Sequence, residues 1–301
     1  MDTTIYYKKD FDSHPLLAKL LHLFDVPNML YVRGKLPEVT IEERGLLLPR
    51  ILTIVGSRDH SRYAEEVISH LLSSLRGHPV IIVSGLALGV DTLAHRKALD
   101  NKLLTIAVPG SGLSSKVMYP RENERLADEI LYSHGCLISE HPDDTRAAKW
   151  TFPSRNRIMA AFSDAVLIIE AREKSGTLIT ARQALELGKN IGVVPGSIFS
   201  DHLKGSHALL RDGATPILDL SDLFDLLSLK QLGDGNEATR DLPLLSGSQK
   251  ILYDLLGSPL SKSELLEKSK LSTPEFLVAL TTLEMLGLVK TSLHEIRRLS
   301  L

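Results

Sequence analysis

Cysteine is almost absent from the sequence, since Cys136 is the one cysteine among 301 residues. A single thiol allows no internal disulfide and no zinc site built from several cysteines, as is typical of a reducing compartment. Long hydrophobic runs are also lacking. No window approaches the roughly 18 apolar residues of a membrane helix, and residues 1–12 contain no apolar signal segment. We therefore expect a cytoplasmic protein.

An excess of charge of one sign is missing as well. The chain has 35 basic and 37 acidic side chains, which leaves a formal net charge of -2. This balance excludes a protein coated in lysine, so a nucleic-acid site must be a local concentration of basic residues. Hydrophobic residues make up 43% of the chain and charged residues 24%. These values exclude a wholly disordered chain and supply a sizeable core.

Several motifs that define large enzyme classes do not occur. The sequence has no G-x-G-x-x-G fingerprint, no P-loop, no H-E-x-x-H and no G-x-S-x-G. Asp91 and His95 stand one helical turn apart and have the side chains of an acid–base pair or a metal fragment. No third ligand has a suitable spacing, and Asp91 more simply accepts N–H groups near a helix start while His95 fixes the loop. We predict no catalytic residues, no metal and no cofactor.

Apolar residues occur in short continuous runs, which fit strands buried on both faces. The runs are residues 51–55, 80–83, 103–108, 137–138, 165–169 and 191–194. Helical patterns alternate with them at residues 63–75, 90–99, 124–132, 155–162 and 178–187. Because this alternation generates right-handed βαβ crossovers, it predicts an α/β fold with a Rossmann-like, doubly wound, mostly parallel sheet.

Composition divides the chain into four parts. They are a short N-terminal lead-in (residues 1–50), a Rossmann-like domain (51–229), a polar linker (230–245) and a small C-terminal domain (246–301). In the last part, helical patterns at 249–256, 262–269 and 274–286 precede an extended segment at 288–296. Three helices and a hairpin predict a winged helix. Its expected recognition helix has no arginine or lysine before Leu286, which favours protein contact over duplex readout.

The predicted strands are followed by loops rich in glycine and serine. In an open parallel sheet, ligands bind outside the carboxyl ends of the strands, where backbone N–H groups and helix N-termini meet. Any one of these loops is more simply a tight turn, but their convergence predicts a crevice for phosphate or carboxylate. The predicted contacts from these loops are Ser84, Gly85, Gly110, Ser175 and Gly176.

Positive charge is concentrated at two places. Arg58 follows the first buried run and carries a fixed guanidinium fork that matches phosphate, although an ion pair with Asp59 or Asp91 is a simpler role. Residues 146–157 contain four cations, no acidic residue, Trp150 and Phe152. Cations interleaved with aromatic rings suit single-stranded nucleic acid, whereas a short basic run is otherwise a solvated face.

Seven stretches in order resemble the DNA-processing protein A family (DprA, also called Smf). They read VGSRDHSRY (55–63), SGLALGVDTLAH (84–95), AVPGSGLSSKVMYP (107–120), GCLISEHP (135–142), FPSRNRIMA (152–160), EAREKSGTLITA (170–181) and VPG (194–196). The resemblance covers about residues 29–218. It implies dimerisation, binding and protection of incoming single-stranded DNA in natural transformation, and loading of the recombinase RecA.

The resemblance assigns DNA contacts to Arg58, Lys149 and Phe152. With the charge pattern, it extends the predicted single-stranded DNA site to Arg155, Asn156 and Arg157. One departure from the family is His207, which stands where members carry the asparagine of a G-x-N-x-L-I stretch. We thus expect a non-catalytic DNA-binding protein with single-stranded DNA, RecA and a second copy of itself as partners, and no membrane.

Two other functions stay open. Residues 155–159 and 175–177 also resemble cytokinin-activating phosphoribohydrolases, but Thr180 replaces the glutamate of their P-G-G-x-G-T-x-x-E motif. That substitution removes the expected acid–base group. The third interpretation is a nucleotide-sensing scaffold whose crevice holds a small phosphorylated ligand.

Overall fold

The computed structural model describes residues 2–41, 47–229, 245, 247–256, 260–286, 288–291 and 296–298. The chain separates into two compact units, Met1–Leu232 and Gly233–Leu301. Apart from Leu245, the predicted linker at 230–245 lies outside the described residues.

The first unit is built on one large sheet. Its strands are β1 (Thr3–Tyr7), β2 (Met29–Gly34), β3 (Thr40–Ile41), β4 (Leu47–Leu48), β5 (Arg50–Val55), β6 (Val80–Ser84), β7 (Leu104–Ala107), β8 (Cys136–Ser139), β9 (Ala165–Ile168), β10 (Asn190–Val193) and β11 (Thr215–Pro216). β3 and β4 pair with each other, and the other nine strands form a sheet in the order β1-β2-β8-β7-β6-β5-β9-β10-β11. From β8 to β11 all pairs are parallel.

Helices cover both faces of this sheet. They are α1 (Pro15–Ala18), α2 (Arg62–Ser74), α3 (Val90–Asp100), α4 (Glu124–Tyr132), α5 (Thr151–Phe162), α6 (Thr177–Glu186), α7 (Lys204–Arg211) and α8 (Leu220–Leu226). Successive side chains of a strand point to opposite faces. Ile51 and Val55 of β5 accordingly pack in one hydrophobic cluster, while Leu52 and Ile54 pack in another. The predicted Rossmann-like α/β fold is confirmed.

The strand order reverses between β5 and β9. From β5 the chain builds β6, β7 and β8 on one side, and then α5 carries it back to β9 on the other side of β5. The loops that follow β5 and β9 therefore diverge and leave a gap between them. This switch point is where doubly wound sheets bind ligands.

Residues 2–36, which belong to the predicted lead-in at 1–50, share the sheet and core of the first unit. β1 pairs antiparallel with β2, and β2 pairs antiparallel with β8. Phe11, Leu16 and Leu17 are fully buried in the same cluster as Ile51. The N-terminal segment therefore completes one edge of the sheet and covers part of one face.

The second unit contains three helices and an antiparallel pair. They are α9 (Gly247–Leu255), α10 (Lys262–Ser269), α11 (Thr273–Met285), β12 (Val289–Thr291) and β13 (Ile296–Arg298). α10 and α11 begin with capping boxes, Ser261 with Glu264 and Ser272 with Glu275, which satisfy N–H groups of the first turn. This element order agrees with a winged helix, an assignment that stays a prediction.

Among the described residues, we find no helix with the length and apolar composition that crossing a bilayer requires.

We expect Phe11→Ala to lower the free energy of unfolding of the first unit by about 3–5 kcal/mol, because it opens a cavity in the core. Phe24→Ala is the matched control, since the Phe24 ring is fully exposed. Urea unfolding of both variants provides the measurement. Equal stability of the two variants would show that the N-terminal segment does not contribute to the core.

Candidate functional site

A crevice of about 350 Å³ opens at the switch point, which we call the switch-point crevice. One wall is the loop after β5, residues 56–59, and the other is the loop at residues 172–176 after β9. α5 supplies a third side through Phe152, Arg155, Asn156 and Met159. The crevice thus lies where the topology of the sheet places a ligand.

Positive charge predominates in the crevice. Four cationic side chains line it, Arg58, Arg155, Arg172 and Lys174, against two acidic ones, Asp59 and Asp91. Arg58, Arg172 and Lys174 are exposed, whereas Arg155 and Asp91 are buried. The accessible cations therefore lie where an anion would first meet the protein.

Arg58 is the cation best placed to meet a ligand. Its guanidinium carbon lies 5.2 Å from the centroid of the Phe152 ring, within the range of a cation–π contact. Arg58 forms no ion pair with any described residue, and Asp59 instead pairs with Arg172 at 2.6 Å. The simpler role as an ion-pair partner of Asp59 or Asp91 is therefore not observed.

Phe152 forms an aromatic surface next to that guanidinium. Its half-buried ring packs directly on Gly110, where an added Cβ would lie 2.6 Å from the ring. The Tyr119 ring, which is partly exposed, lies 5.9 Å away at a tilt of 59°. The lack of a side chain at Gly110 thus allows the Phe152 ring to pack directly against the backbone. A ring beside a free cation suits an unpaired base attached to a phosphate.

Arg155 does not occupy the exposed position that its place in the basic stretch suggested. It is 6% exposed, and its Nη1 donates to the carbonyl oxygens of Gly85 and Val108. Its Nε donates to Asn156 Oδ1 at 3.1 Å. A Cβ at Gly85 would overlap the guanidinium. Arg155 therefore links α5 to the loops that follow β6 and β7 and forms the base of the crevice.

Electrostatics agree with this buried position of Arg155. Burial lowers the pKa of Arg155 to about 10, while the nearby Asp91 carboxylate acts in the opposite direction. The guanidinium therefore stays charged at neutral pH. Burial raises the pKa of Asp91, and the charge of Arg155 limits that rise. Asp91 Oδ2 also accepts the Ala87 N–H at 3.3 Å, the role expected near a helix start.

His95 lies in the interior of the first unit. It is fully buried, and its Nδ1 is 2.7 Å from Thr105 Oγ1. Because the Thr105 hydroxyl donates to the Ile82 carbonyl, the Nδ1–H of the ring is the donor in this contact. Burial lowers the pKa of His95 to about 3. No group of three His, Cys, Asp or Glu side chains in the described residues can hold a metal ion.

The predicted glycine–serine contacts separate into two groups. Ser175 and Gly176 line the crevice, and Gly176 stands at the N-cap of α6. Ser84, by contrast, is buried and its hydroxyl donates to the Ile54 carbonyl at 2.7 Å. Gly85 and Gly110 lie beneath Arg155 and Phe152, so they act by giving space to those side chains.

The rest of the basic stretch divides in a similar way. Asn156 lines the crevice, and Lys149 is exposed just before α5. Trp150 is 63% exposed and its ring meets His141 edge-on at 5.2 Å. Arg157 points away from the crevice. Its side chain is only 13% exposed and pairs with Glu140 and, at 3.6 Å, with Asp25, so the structure does not bring it to the site.

Arg172 and Lys174 are crevice residues that our sequence analysis did not single out. Both lie in the stretch EAREKSG, in the loop that follows β9. The sequence did contain a signal for them, since both cations follow closely after the apolar run at residues 165–169 that predicted a strand. His207, at the family's asparagine position, contacts the Gly196 carbonyl oxygen through Nε2 at 3.3 Å.

We expect His95→Gln to flatten the acid dependence of stability. In the folded protein His95 takes up a proton only near its pKa of about 3, whereas the unfolded side chain does so near 6.5. The unfolded state therefore binds more protons between these values, so the free energy of unfolding falls as the pH decreases through that window. The slope from one such group reaches about 1.4 kcal/mol per pH unit.

Urea unfolding of the wild type and His95→Gln between about pH 7 and about pH 5 measures this effect. The wild type should lose stability more steeply than the variant. Parallel pH profiles would show that His95 is not a buried neutral side chain.

Comparison with known proteins identifies the chain's relatives. The family model described as DNA recombination-mediator protein A matches residues 4–228. The DNA processing protein DprA of Bacillus subtilis is 37% identical over 227 residues, which cover 74% of this chain and 73% of the relative. The DprA of Streptococcus pneumoniae is 37% identical over 227 residues, which cover 73% of this chain and 76% of the relative.

Solved structures agree with this assignment. The DprA structure from Streptococcus pneumoniae has a TM-score of 0.64 at 32% identity and covers 75% of this chain and 74% of its own. A second structure, of DNA processing protein A from Helicobacter pylori, is presented for its single-stranded DNA binding mode. Its TM-score is 0.61 at 29% identity, and the match covers 76% of this chain and 96% of the Helicobacter chain. The resemblance inferred from the sequence is thus confirmed, and the chain belongs to the DNA recombination-mediator protein A family.

Proposed function

We propose that this protein binds single-stranded DNA in the switch-point crevice and protects it during DNA uptake in natural transformation. The observation that carries the proposal is the unpaired Arg58 guanidinium beside the Phe152 ring. A cation attracts the phosphate and a ring stacks on the base, which is how sequence-tolerant single-strand binding arises. The Helicobacter pylori relative with the same fold, described as binding single-stranded DNA, supports the proposal.

The strand path extends from the crevice along the N-terminal end of α5. Lys149 and Trp150 are exposed there, directly before the helix that carries Phe152. Arg172 and Lys174 provide cations on the opposite wall. Cations on both walls with a ring between them form a groove that follows a flexible phosphate backbone without reading its sequence.

A non-catalytic role fits the carboxylates of the crevice better than a phosphoribohydrolase does. Thr180 lines the crevice at the position of the glutamate in the hydrolase motif. Asp59 is paired with Arg172, and Asp91 is buried and accepts the Ala87 N–H. Neither carboxylate is free to protonate a leaving base. Release of ribose 5-phosphate from a nucleoside monophosphate would favour the hydrolase instead.

A nucleotide sensor is the other alternative, because a crevice of about 350 Å³ admits a small phosphorylated ligand. The exposed cations outside the crevice, such as Lys149, have no role in that case. Competition by mononucleotides at micromolar concentration would favour the sensor over a binder of long strands.

We further propose that the protein acts as a homodimer in the cytoplasm and delivers the bound strand to the recombinase RecA. The family description as a recombination mediator supports the delivery step. A single free cysteine, Cys136, allows no internal disulfide, which agrees with a reducing compartment. Light scattering of the purified protein tests the dimer, and a monomeric mass would contradict it.

We expect Arg58→Ala and Phe152→Ala to weaken single-strand binding by different routes. Arg58→Ala removes a phosphate contact, so it should also reduce the slope of log affinity against log salt by about 0.7. Phe152→Ala removes base stacking of about 1–3 kcal/mol and should leave that slope unchanged. Fluorescence anisotropy with a labelled oligonucleotide at several salt concentrations measures both quantities.

Arg76→Ala is the matched control for Arg58→Ala. Arg76 is exposed just after α2, which runs from the carboxyl edge of the sheet back to its amino edge. Its loss removes one positive charge far from the crevice. If about four cations contact phosphates, wild-type affinity falls roughly 50-fold between about 50 and 200 mM salt. Wild-type affinity in both Arg58→Ala and Phe152→Ala would overturn the proposed site.

The same variants test delivery to RecA. In strand exchange on DNA precoated with a single-strand binding protein, the wild type should speed RecA assembly. Arg58→Ala should lose this effect in proportion to its loss of DNA affinity. A wild-type protein that binds the strand without affecting RecA would contradict the delivery step and leave DNA binding intact.

We expect Asp59→Asn to strengthen DNA binding. The substitution removes a negative charge from the crevice wall and releases the Arg172 guanidinium from a pair at 2.6 Å. Because Asp59 is exposed, the gain should be modest, about two- to fivefold in affinity. The same anisotropy titration measures it, with Asp128→Asn on α4, outside the crevice, as the control. An unchanged or weaker affinity would show that Arg172 does not contact the strand.

A further inference from the structure

A second basic site lies at the amino edge of the sheet, opposite the switch-point crevice. A cavity of about 240 Å³ is lined by Lys19, His22, Ala161, Leu187 and Lys189. Lys189 directly precedes β10, and Lys19 opens a short 3-10 helix, Lys19–His22. We call this cavity the amino-edge pocket. It shares no residue with the crevice.

Two cations contact a single carboxylate beside this pocket, and a third cation lines the pocket. Asp164, which precedes β9, lies 2.7 Å from Lys19 Nζ and 3.6 Å from Arg50 Nη1. The side chains of Lys19, Arg50 and Asp164 are each about one-tenth exposed. The third cation, Lys189, is half-buried and forms no ion pair with a described residue. The buried group therefore carries more positive than negative charge.

This excess is costly for the protein without a counter-ion. Burial lowers the pKa of Lys189, and the neighbouring charges of Lys19 and Arg50 add to this lowering, whereas the Asp164 carboxylate acts in the opposite direction. Burial also lowers the pKa of Lys19 despite its contact with Asp164. Both ammonium groups would be stabilised by an anion held between them, because each cation is partly removed from water and close to like charges.

Lys19 and Lys189 also have N–H donors that form no hydrogen bond with the described residues. An ammonium group has three donors. Lys19 uses two of them, on the Phe162 carbonyl at 2.9 Å and on Asp164. Within the described part of the chain, Lys189 donates to no protein acceptor. Donors from two sides of one cavity can therefore converge on the same ligand.

We propose that the amino-edge pocket binds a phosphate group. Compact ammonium groups act as point charges that suit a compact oxyanion. The cavity is several times larger than the roughly 30 Å³ that one water molecule occupies, so it accommodates a phosphate with some of its hydration. The phosphate has two sources, a small free phosphate compound or the backbone of a DNA strand that continues round the sheet.

Thermal unfolding in phosphate and in chloride at equal pH and ionic strength tests the pocket. Phosphate at about ten times its Kd should raise Tm by about 3–5 °C. Lys189→Gln should lose most of this rise, and Lys189→Arg should keep it. In chloride, Lys189→Gln should be at least as stable as the wild type, because it removes an unpaired cation. Equal responses to phosphate in the wild type and Lys189→Gln would overturn the proposal.

A second measurement uses the unaltered protein. Reductive methylation followed by mass spectrometry reports the accessibility of each lysine, and phosphate should protect Lys189. Lys97 serves as the internal control, because it lies on α3 away from both sites and pairs with Asp100 at 3.6 Å. Equal methylation of Lys189 with and without phosphate would also overturn the proposal.

Two oligonucleotides distinguish the sources of the phosphate. One of about 8 nucleotides is within the size that a single groove covers, and the other is several times longer. If the pocket holds backbone phosphate, Lys189→Gln weakens binding of the long strand only. If it holds a free phosphate compound, neither affinity changes. Arg58→Ala should preserve protection of Lys189 by phosphate, so failure of the pocket and failure of the crevice are distinguishable.

Discussion

The buried guanidinium of Arg155 is the contact on which the geometry of the crevice depends. It donates to carbonyl oxygens in the loops after β6 and β7, while Thr151 of the same helix donates to the Gly110 carbonyl. These bonds hold the first turns of α5 against the ends of the strands. The ring of Phe152 is thereby pressed onto Gly110, where it supports Arg58. Burying a cation is expensive, and these acceptors together with Asp91 offset the cost.

The fold brings basic side chains from separate loops together, which explains how a nearly neutral chain can have cationic sites. The formal net charge is -2. Three cations nevertheless line the crevice from the loops after β5 and β9, namely Arg58, Arg172 and Lys174, and three more, Lys19, Arg50 and Lys189, lie near Asp164 at the amino edge of the sheet. Loops that are distant in sequence meet at the two edges of a parallel sheet. A few cations from separate loops therefore suffice to create a local positive field.

The sequence predicted the parallel strands well because strands buried on both faces have continuous apolar runs. Each of the six runs overlaps one observed strand from β5 to β10. β1 escaped notice because it is an edge strand, TTIYY, whose residues are partly or fully exposed and give no such run. The burial of Phe11 could not be predicted either, since a short segment of mixed composition gains its core position only when it packs on a completed sheet.

α5 begins four residues before the helical pattern that the sequence showed at residues 155–162. The helix begins at Thr151, and Pro153 stands in its first turn, where proline is tolerated because its missing N–H has no partner. On a helix, positions i, i+3, i+4 and i+7 share a face. Phe152, Arg155, Asn156 and Met159 have this spacing, and all four line the crevice.

Arg157 stands two positions after Arg155, on a different face of α5, and therefore pairs with Glu140 instead of lining the crevice. The pairing of Asp59 with Arg172 had no comparable local signal, because 113 residues separate the two side chains. It becomes visible only when the reversal of strand order brings their loops together. Local periodicity thus determines which side of α5 faces the crevice, whereas the charges opposite that face depend on the topology of the whole sheet.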